Sequence, residues 1–106
     1  MADRFRVTLA QMNPTVGDLA GNAAKARTAW AEGRAASADL VALPEMFLTG
    51  YNTQDLVMKP VFQQAAMAAA EQLALDCADG PALAIGCPWA EGGKLYNAYL
   101  ILKDGK

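Results

Sequence analysis

The sequence predicts an α/β fold in which parallel strands are joined by crossover helices. Three observations carry this. Strand-like and helix-like patterns alternate along 106 residues, the second strand pattern is an almost continuous apolar run, and only a tight turn separates the last two strand patterns. The order strand, helix, strand, helix, strand, strand describes two crossover units and a hairpin, which build a sheet with helices on its face.

"RFRVTLAQM" alternates with period two, placing Phe5, Val7 and Leu9 on one face and Arg6 and Thr8 on the other, and reads as the first strand. Pro14 and Gly17 in "NPTVGD" then break the strand. Asp18 can accept hydrogen bonds from the free amides of a following helix, and Asn22 is a second candidate cap. Leu19, Ala23, Ala26, Trp30 and Gly33 recur at three- and four-residue spacing and form one apolar stripe, while Lys25, Arg27, Glu32 and Arg34 fall mostly elsewhere. "ADLVALPEMF" is an apolar run bounded by Asp39 and Glu45, the pattern of a strand covered on both faces.

Beyond Gly50, "NTQDLVM" reads as a short helical turn started by Asn52. Pro60 breaks it and allows an alanine-rich helix from near Val61, with Phe62, Ala65, Ala69, Leu73 and Cys77 along one side and "ADGP" at its end. "PALAIGCPW" is a third strand, "EGGK" a tight turn and "LYNAYLIL" a fourth strand. That strand meets no later partner, and an open apolar edge invites aggregation, so the chain is expected to be part of something longer.

Composition narrows the function classes. Nine Lys and Arg against eleven Asp and Glu give a charge of −2 with no block of either sign, which argues against nucleic acid or an anionic membrane as partner. No stretch approaches the roughly 18 uninterrupted apolar residues of a membrane span, and the N-terminus lacks a hydrophobic signal core, so a cytoplasmic protein is expected. Cys77 and Cys87 sit in contexts that read as helix end and buried strand, without the look of a disulfide framework. Histidine is absent, so within these residues proton transfer falls to carboxylates, lysine, tyrosine or cysteine, and His-based triads and metal sites are excluded.

Glu45 stands out, in "LPEMFLTGY". It follows a strand at the rim where α/β proteins place catalytic groups, and Leu43, Pro44, Met46 and Phe47 surround it with apolar side chains. Desolvation by such neighbours favours the neutral carboxyl and makes a competent general base. The plain alternative is a glutamate that caps a loop by accepting backbone amides, and spacing alone leaves both open.

Four segments, "QMNPTVGD", "ADLVALPEMFLTGY", "AIGCPW" and "LYNAYLILKDGK", resemble in that order the first part of the nitrilase, or carbon-nitrogen hydrolase, superfamily. The continuation "GYNTQDLVMKPVF" is most similar to a glutamine-hydrolysing branch that feeds ammonia to NAD formation. The resemblance covers essentially the whole chain. It implies that residues 1–106 are the N-terminal portion of a nitrilase-type four-layer α-β-β-α sandwich, incomplete here, with the rest of that domain and an ammonia-using domain outside it.

Members use a Glu-Lys-Cys triad, and Glu45 matches the base. A free thiol with pKa about 8.5 is mostly protonated near neutrality, so a base must take its proton as sulfur attacks the amide carbon. The resemblance makes lysine the stabiliser of the oxyanion, ammonia the leaving group and Glu45 the activator of the water that cleaves the thioester. Tyr51 matches a tyrosine at the substrate pocket, against the plain reading of an aromatic packed on a turn glycine. The family's lysine and cysteine fall beyond residue 106. Lys103 and Lys106 flank an Asp-Gly turn and read as solvated, and Cys87 and Cys77 read as small core residues.

The implied substrates are glutamine here and deamido-NAD and ATP, with magnesium, in the absent domain. No cofactor is expected in this segment, these residues alone are expected to be inactive, and the parent is expected to be a homo-oligomer. Two alternatives stand beside this: a stand-alone amidase or nitrilase-type hydrolase with the same Glu45, and a non-catalytic interaction domain in which Glu45 only caps a loop.

Overall fold

The computed structural model describes residues 4–50 and 58–106. Four strands, β1 (Val7–Leu9), β2 (Leu40–Ala42), β3 (Ala82–Glu91) and β4 (Lys94–Leu102), form one sheet in the order β1-β2-β3-β4. The first three are parallel, with Thr8 opposite Val41 and Val41 opposite Leu83, and β4 runs antiparallel to β3. Helix α1 (Leu19–Ala35) crosses from β1 to β2 and α2 (Pro60–Asp76) from β2 to β3. Both crossovers advance the same way along the sheet, so right-handed connections place both helices on one face, in contact with each other.

Local chemistry fixes the ends of these elements. The Asp18 carboxylate accepts from the Gly21 amide at 3.0 Å and caps α1. Pro60 opens α2, where its missing N–H costs nothing. Gly92 and Gly93, at φ 59° and 78°, form the two-residue turn between β3 and β4, a backbone that glycine adopts without strain and that matches the strand twist.

The core lies between the helices and the sheet. Ala26 and Trp30 of α1 and Leu73 of α2 pack with Val41, Leu83 and Ile85. The stripe expected on α1 is present, with Leu19 at its partly buried end and Ala29 added. That on α2 is rotated: Ala66, Ala70, Leu73, Ala74 and the following Cys77 are buried, whereas Phe62 and Ala69 are half-buried and Ala65 is exposed. Two rows share Leu73 and Cys77, and the alanines between 65 and 70 supply no contrast in hydrophobicity to choose between them.

The two faces of the sheet differ from expectation. Val41 is fully buried under α1, but Leu40 and Ala42 on the opposite face are only half-buried, so β2 is covered on one side among the described residues. On β1 the apolar residues Val7 and Leu9 are exposed, as is Phe5 just before the strand, and Thr8 is the half-buried one. Across the register on this face Ala42 is half-buried and Ala84 fully buried, and exposure returns at Ile101. The alternation along β1 is as expected; its apolar side faces away from the helices.

Two long-range links tie the helices down. Arg27 Nε donates to Asp76 at 2.7 Å across α1 and α2, and the hydrogen bonds from Gln72 and Arg27 hold the Asp76 carboxyl below its usual range. Trp30 Nε1 donates to the carbonyl of Pro81, just before β3, at 2.8 Å in a buried setting. Trp30→Phe is expected to leave that carbonyl unpaired and lower stability by about 1–3 kcal/mol. A denaturant midpoint on the intact protein, with the m-value unchanged, checks this.

Candidate active site: the Glu45 turn

Chain geometry brings Glu45 to the C-terminal rim of the parallel strands, three residues past the end of β2. The ladder to β3 persists one residue beyond β2, where Leu43 N donates to Ala84 O at 2.8 Å. Residues 45 to 49 then form a turn, and Leu48 N returns to Gly86 O at 3.2 Å. The loop therefore leaves β3 at Ala84 and rejoins it at Gly86. Gly50 N donates to Met46 O at 2.8 Å and closes the turn, with Met46 in the left-handed region at φ 55°.

Gly86 makes this close seating possible. A side chain there would overlap the Met46 amide and approach the Glu45 carbonyl carbon and Cα at 2.7 and 2.8 Å, so the Glu45–Met46 peptide lies directly on β3. Gly50, at φ 82°, does the same for the neighbouring loop, since a Cβ there would meet the Val16 backbone at 2.8 Å.

The far leg of the turn is tied to the loop before α1. Gly17 N donates to Thr49 O at 2.8 Å. Asn22, fully buried, accepts from Thr15 N at 2.7 Å and donates to Thr15 O at 2.8 Å and Leu48 O at 3.0 Å. Its side-chain amide thus pairs with Thr15 as a neighbouring strand would and spends its second N–H on the Glu45 turn. Asn22 is therefore not a helix cap. Asp18 fills that role, and Asn22 lies one turn further in, on the buried side of α1. On the near leg, Tyr99 of β4 donates its hydroxyl to Leu43 O at 2.7 Å.

Within this frame Phe47, Leu48 and Thr49 are fully buried and Leu43 nearly so, whereas Glu45 is exposed. The expectation that its apolar neighbours bury it fails among the described residues, because Leu43 and Phe47 turn into the core while Pro44 and Met46 stay half-buried at the rim, leaving the carboxylate outside. Flanking residues line two shallow hollows. Leu43 and Pro44 border one of about 260 Å³ with Leu9, Ala42 and Tyr99, and Met46 borders another of about 320 Å³ with Pro88, Leu95, Tyr96 and Asn97. Tyr51 and the turn expected from Asn52 lie outside the described residues.

The cysteines are structural. Cys87 is fully buried, its sulfur 3.3 Å from Pro88 O and 3.7 Å from Ala66 O, and burial pushes its thiol up to about 12. Burial, with the Asp76 carboxylate nearby, pushes Cys77 up to about 11. Neither is a thiolate near neutrality. Lys103 donates to Gly80 O at 2.9 Å and both it and Lys106 are exposed. No group of three or more metal-ligating side chains occurs among the described residues. Sequence reasoning missed the parts that hold the turn. Asn22 was legible as a polar residue beside an apolar stripe, and Gly86 as a glycine inside an apolar strand; Tyr99 carries no local signal.

Residues 43–50 thus build a turn seated on β3 that displays one carboxylate at the strand ends. The chain belongs to the carbon-nitrogen hydrolase family, whose model matches residues 6–106. It is 65% identical over 106 residues to the glutamine-dependent NAD(+) synthetase of Rhodobacter capsulatus, covering all of this chain and 19% of that protein. It is 36% identical over 104 residues to the enzyme of the same name from Thermotoga maritima, covering 97% and 18%. The chain thus spans about a fifth of the length of the curated relatives it matches.

Among solved structures, a glutamine-dependent NAD(+) synthetase from Cytophaga hutchinsonii superposes with a TM-score of 0.88 at 27% identity, over 95% of this chain and 17% of that one. An amidase from Nesterenkonia sp. shares the fold, with a TM-score of 0.68 at 23% identity over 92% and 36%. The α/β architecture expected from sequence, a sheet with its crossover helices compatible with part of a nitrilase-type fold, is shared with both structures.

Two outcomes are expected. Asn22→Leu should strand the buried Leu48 carbonyl and remove the bonds to Thr15, whose carbonyl keeps the Asp18 amide as donor, and lower stability by about 1–3 kcal/mol, as read from the unfolding midpoint of the intact protein. Cys77 and Cys87 should remain unlabelled by iodoacetamide at pH 8 in the native protein and react once it is unfolded, by peptide mass mapping. Below the ordinary value of 9.0 folded and unfolded thiols are both protonated; as pH climbs from there toward about 12 only the unfolded Cys87 ionises, so stability is lost with rising pH in that window.

Proposed function

We propose that this chain is the part of a glutamine-dependent NAD-forming enzyme that carries the general base of its glutaminase site, and that the base is Glu45. The observation that carries this reading is an exposed carboxylate on a backbone held from three sides, at the C-terminal rim of a parallel sheet. Orientation of a proton acceptor is worth more than its mere presence, because a displacement of about 1 Å can cost a hundredfold in rate. Kinship with glutamine-dependent NAD(+) synthetases supports glutamine as the amide.

The chemistry runs in two halves. Glu45 takes the proton of a cysteine thiol as sulfur attacks the amide carbon of glutamine. It returns that proton to the departing nitrogen, which leaves as ammonia and yields a thioester. Glu45 then takes a proton from water as the water oxygen attacks the thioester, releasing glutamate and restoring the thiol. The cysteine, and the lysine that stabilises the oxyanion, are supplied by the remainder of the domain. Tyr51 walls the glutamine pocket. Ammonia would pass to a second domain that takes deamido-NAD and ATP, where magnesium would supply charge neutralisation of the phosphates. The enzyme works in the cytoplasm as a homo-oligomer. No helix among the described residues is long and apolar enough to cross a membrane.

The test uses the full-length enzyme with two nitrogen donors. Glu45→Gln should lower glutamine-dependent NAD formation by at least about a hundredfold, the lower end of what a general base contributes, and leave ammonium-dependent formation unchanged. A glutamine-dependent rate within twofold of wild type overturns the assignment of Glu45, and absence of ammonium-dependent synthesis in the wild type overturns the assignment to NAD formation.

A further inference from the structure

We propose that Tyr99 is a positioning residue for Glu45, acting through the carbonyl of Leu43. The proposal rests on the reading of Glu45 as the base. Its ground is where the chain leaves the sheet. Leu43 is the last residue of this strand whose N–H enters the ladder to β3, at Ala84 O; the ladder hydrogen bonds resume only at Leu48. Between the two lies Pro44, which has no N–H and a fixed φ, and which restricts the residue before it. The Leu43 carbonyl oxygen belongs to the rigid plane of the Leu43–Pro44 peptide. A hydrogen bond to that oxygen therefore sets the direction in which the chain enters Glu45.

Tyr99 makes that bond, at 2.7 Å. It is placed to do so by register, directly opposite Gly86 across the β3–β4 pair, and Gly86 is the residue on which the Glu45–Met46 peptide rests. Both supports of the near leg thus sit at one rung of the hairpin. The far leg is held separately, by Asn22 to Leu48 O and by Gly50 N to Met46 O. Burial pushes the Tyr99 phenol up, so the hydroxyl keeps its proton and stays a donor through the neutral range. Without the Tyr99 bond the proline-containing leg would keep the Leu43–Ala84 hydrogen bond and the seat on Gly86 but lose the bond that orients the Leu43–Pro44 peptide, and the carboxylate would sample a wider range of positions.

The full-length enzyme with Tyr99→Phe tests this, since the ring stays and the hydroxyl goes. The glutamine-dependent kcat should fall about three- to thirtyfold, within the range that slight misplacement of a catalytic group produces. The KM for glutamine should change less than twofold and ammonium-dependent synthesis should not change. In a Glu45→Asp background, where the carboxylate is already withdrawn, Tyr99→Phe should lower kcat by less than twofold, because residues that act through one another are not additive. An unchanged kcat, an equal loss in both backgrounds, or a parallel loss of glutamine- and ammonium-dependent rates with a lower melting temperature overturns the positioning role and leaves Glu45 as the base. Wild-type glutamine turnover by Glu45→Asp and Glu45→Gln alike overturns the base itself, whatever Tyr99→Phe does.

Discussion

The side-chain amide of Asn22 is the constraint on which the site's geometry depends. Two irregular segments, around Thr15 and around Leu48, meet backbone to backbone beneath the rim of the sheet, where neither has a regular partner for its peptide groups. Irregular backbone is normally kept at the surface because buried N–H and C=O groups must be paired. One fully buried side-chain amide on α1 bonds three peptide groups at once, the buried Leu48 carbonyl and the part-buried N–H and C=O of Thr15. No buried side-chain polar atom among the described residues lacks a partner. A polar network of this kind stabilises only when every member is satisfied, and this one is.

From that fixed point the rest of the turn follows. Leu43, Phe47 and Leu48 send their side chains into the core and act as anchors on either side of an outward-facing Glu45. Met46 accepts a left-handed backbone, worth about 1–2 kcal/mol of strain in a residue with a Cβ, because the hydrogen bond from Gly50 N and the seat on Gly86 leave it little alternative. Strain held by surrounding structure is the signature of a turn whose shape matters. The same arrangement explains how an acid can sit inside an apolar stretch of sequence without entering the apolar interior.

How much of this could be read from the letters depends on whether the signal was local. Periodicity, caps and breakers gave the strand and helix order, the two crossovers, the Asp18 cap and the diglycine hairpin, since each is decided within a few residues. The placement of Glu45 at the strand ends followed from that order. The phase of α2 was not legible, because a run of alanines looks alike from every side. Asn22 was misread for a related reason: asparagine near a helix start satisfies the rule for a cap as well as the rule for a buried network, and only the position of Leu48, 26 residues away, separates them. The exposure of Glu45 was hidden by reading neighbours in sequence as neighbours in space. Tyr99 meets Leu43 across 56 positions, a distance that no window of sequence spans.

Gly86 has a consequence at the level of inheritance. Any single-base change that replaces the glycine without ending the chain installs a residue with a Cβ, and at this position that atom would run into the main chain of the turn. Backbone, unlike a flexible side chain, cannot step aside without taking the carboxylate with it. The position therefore has no conservative replacement available to it, and drift in the encoded residue is closed off by geometry.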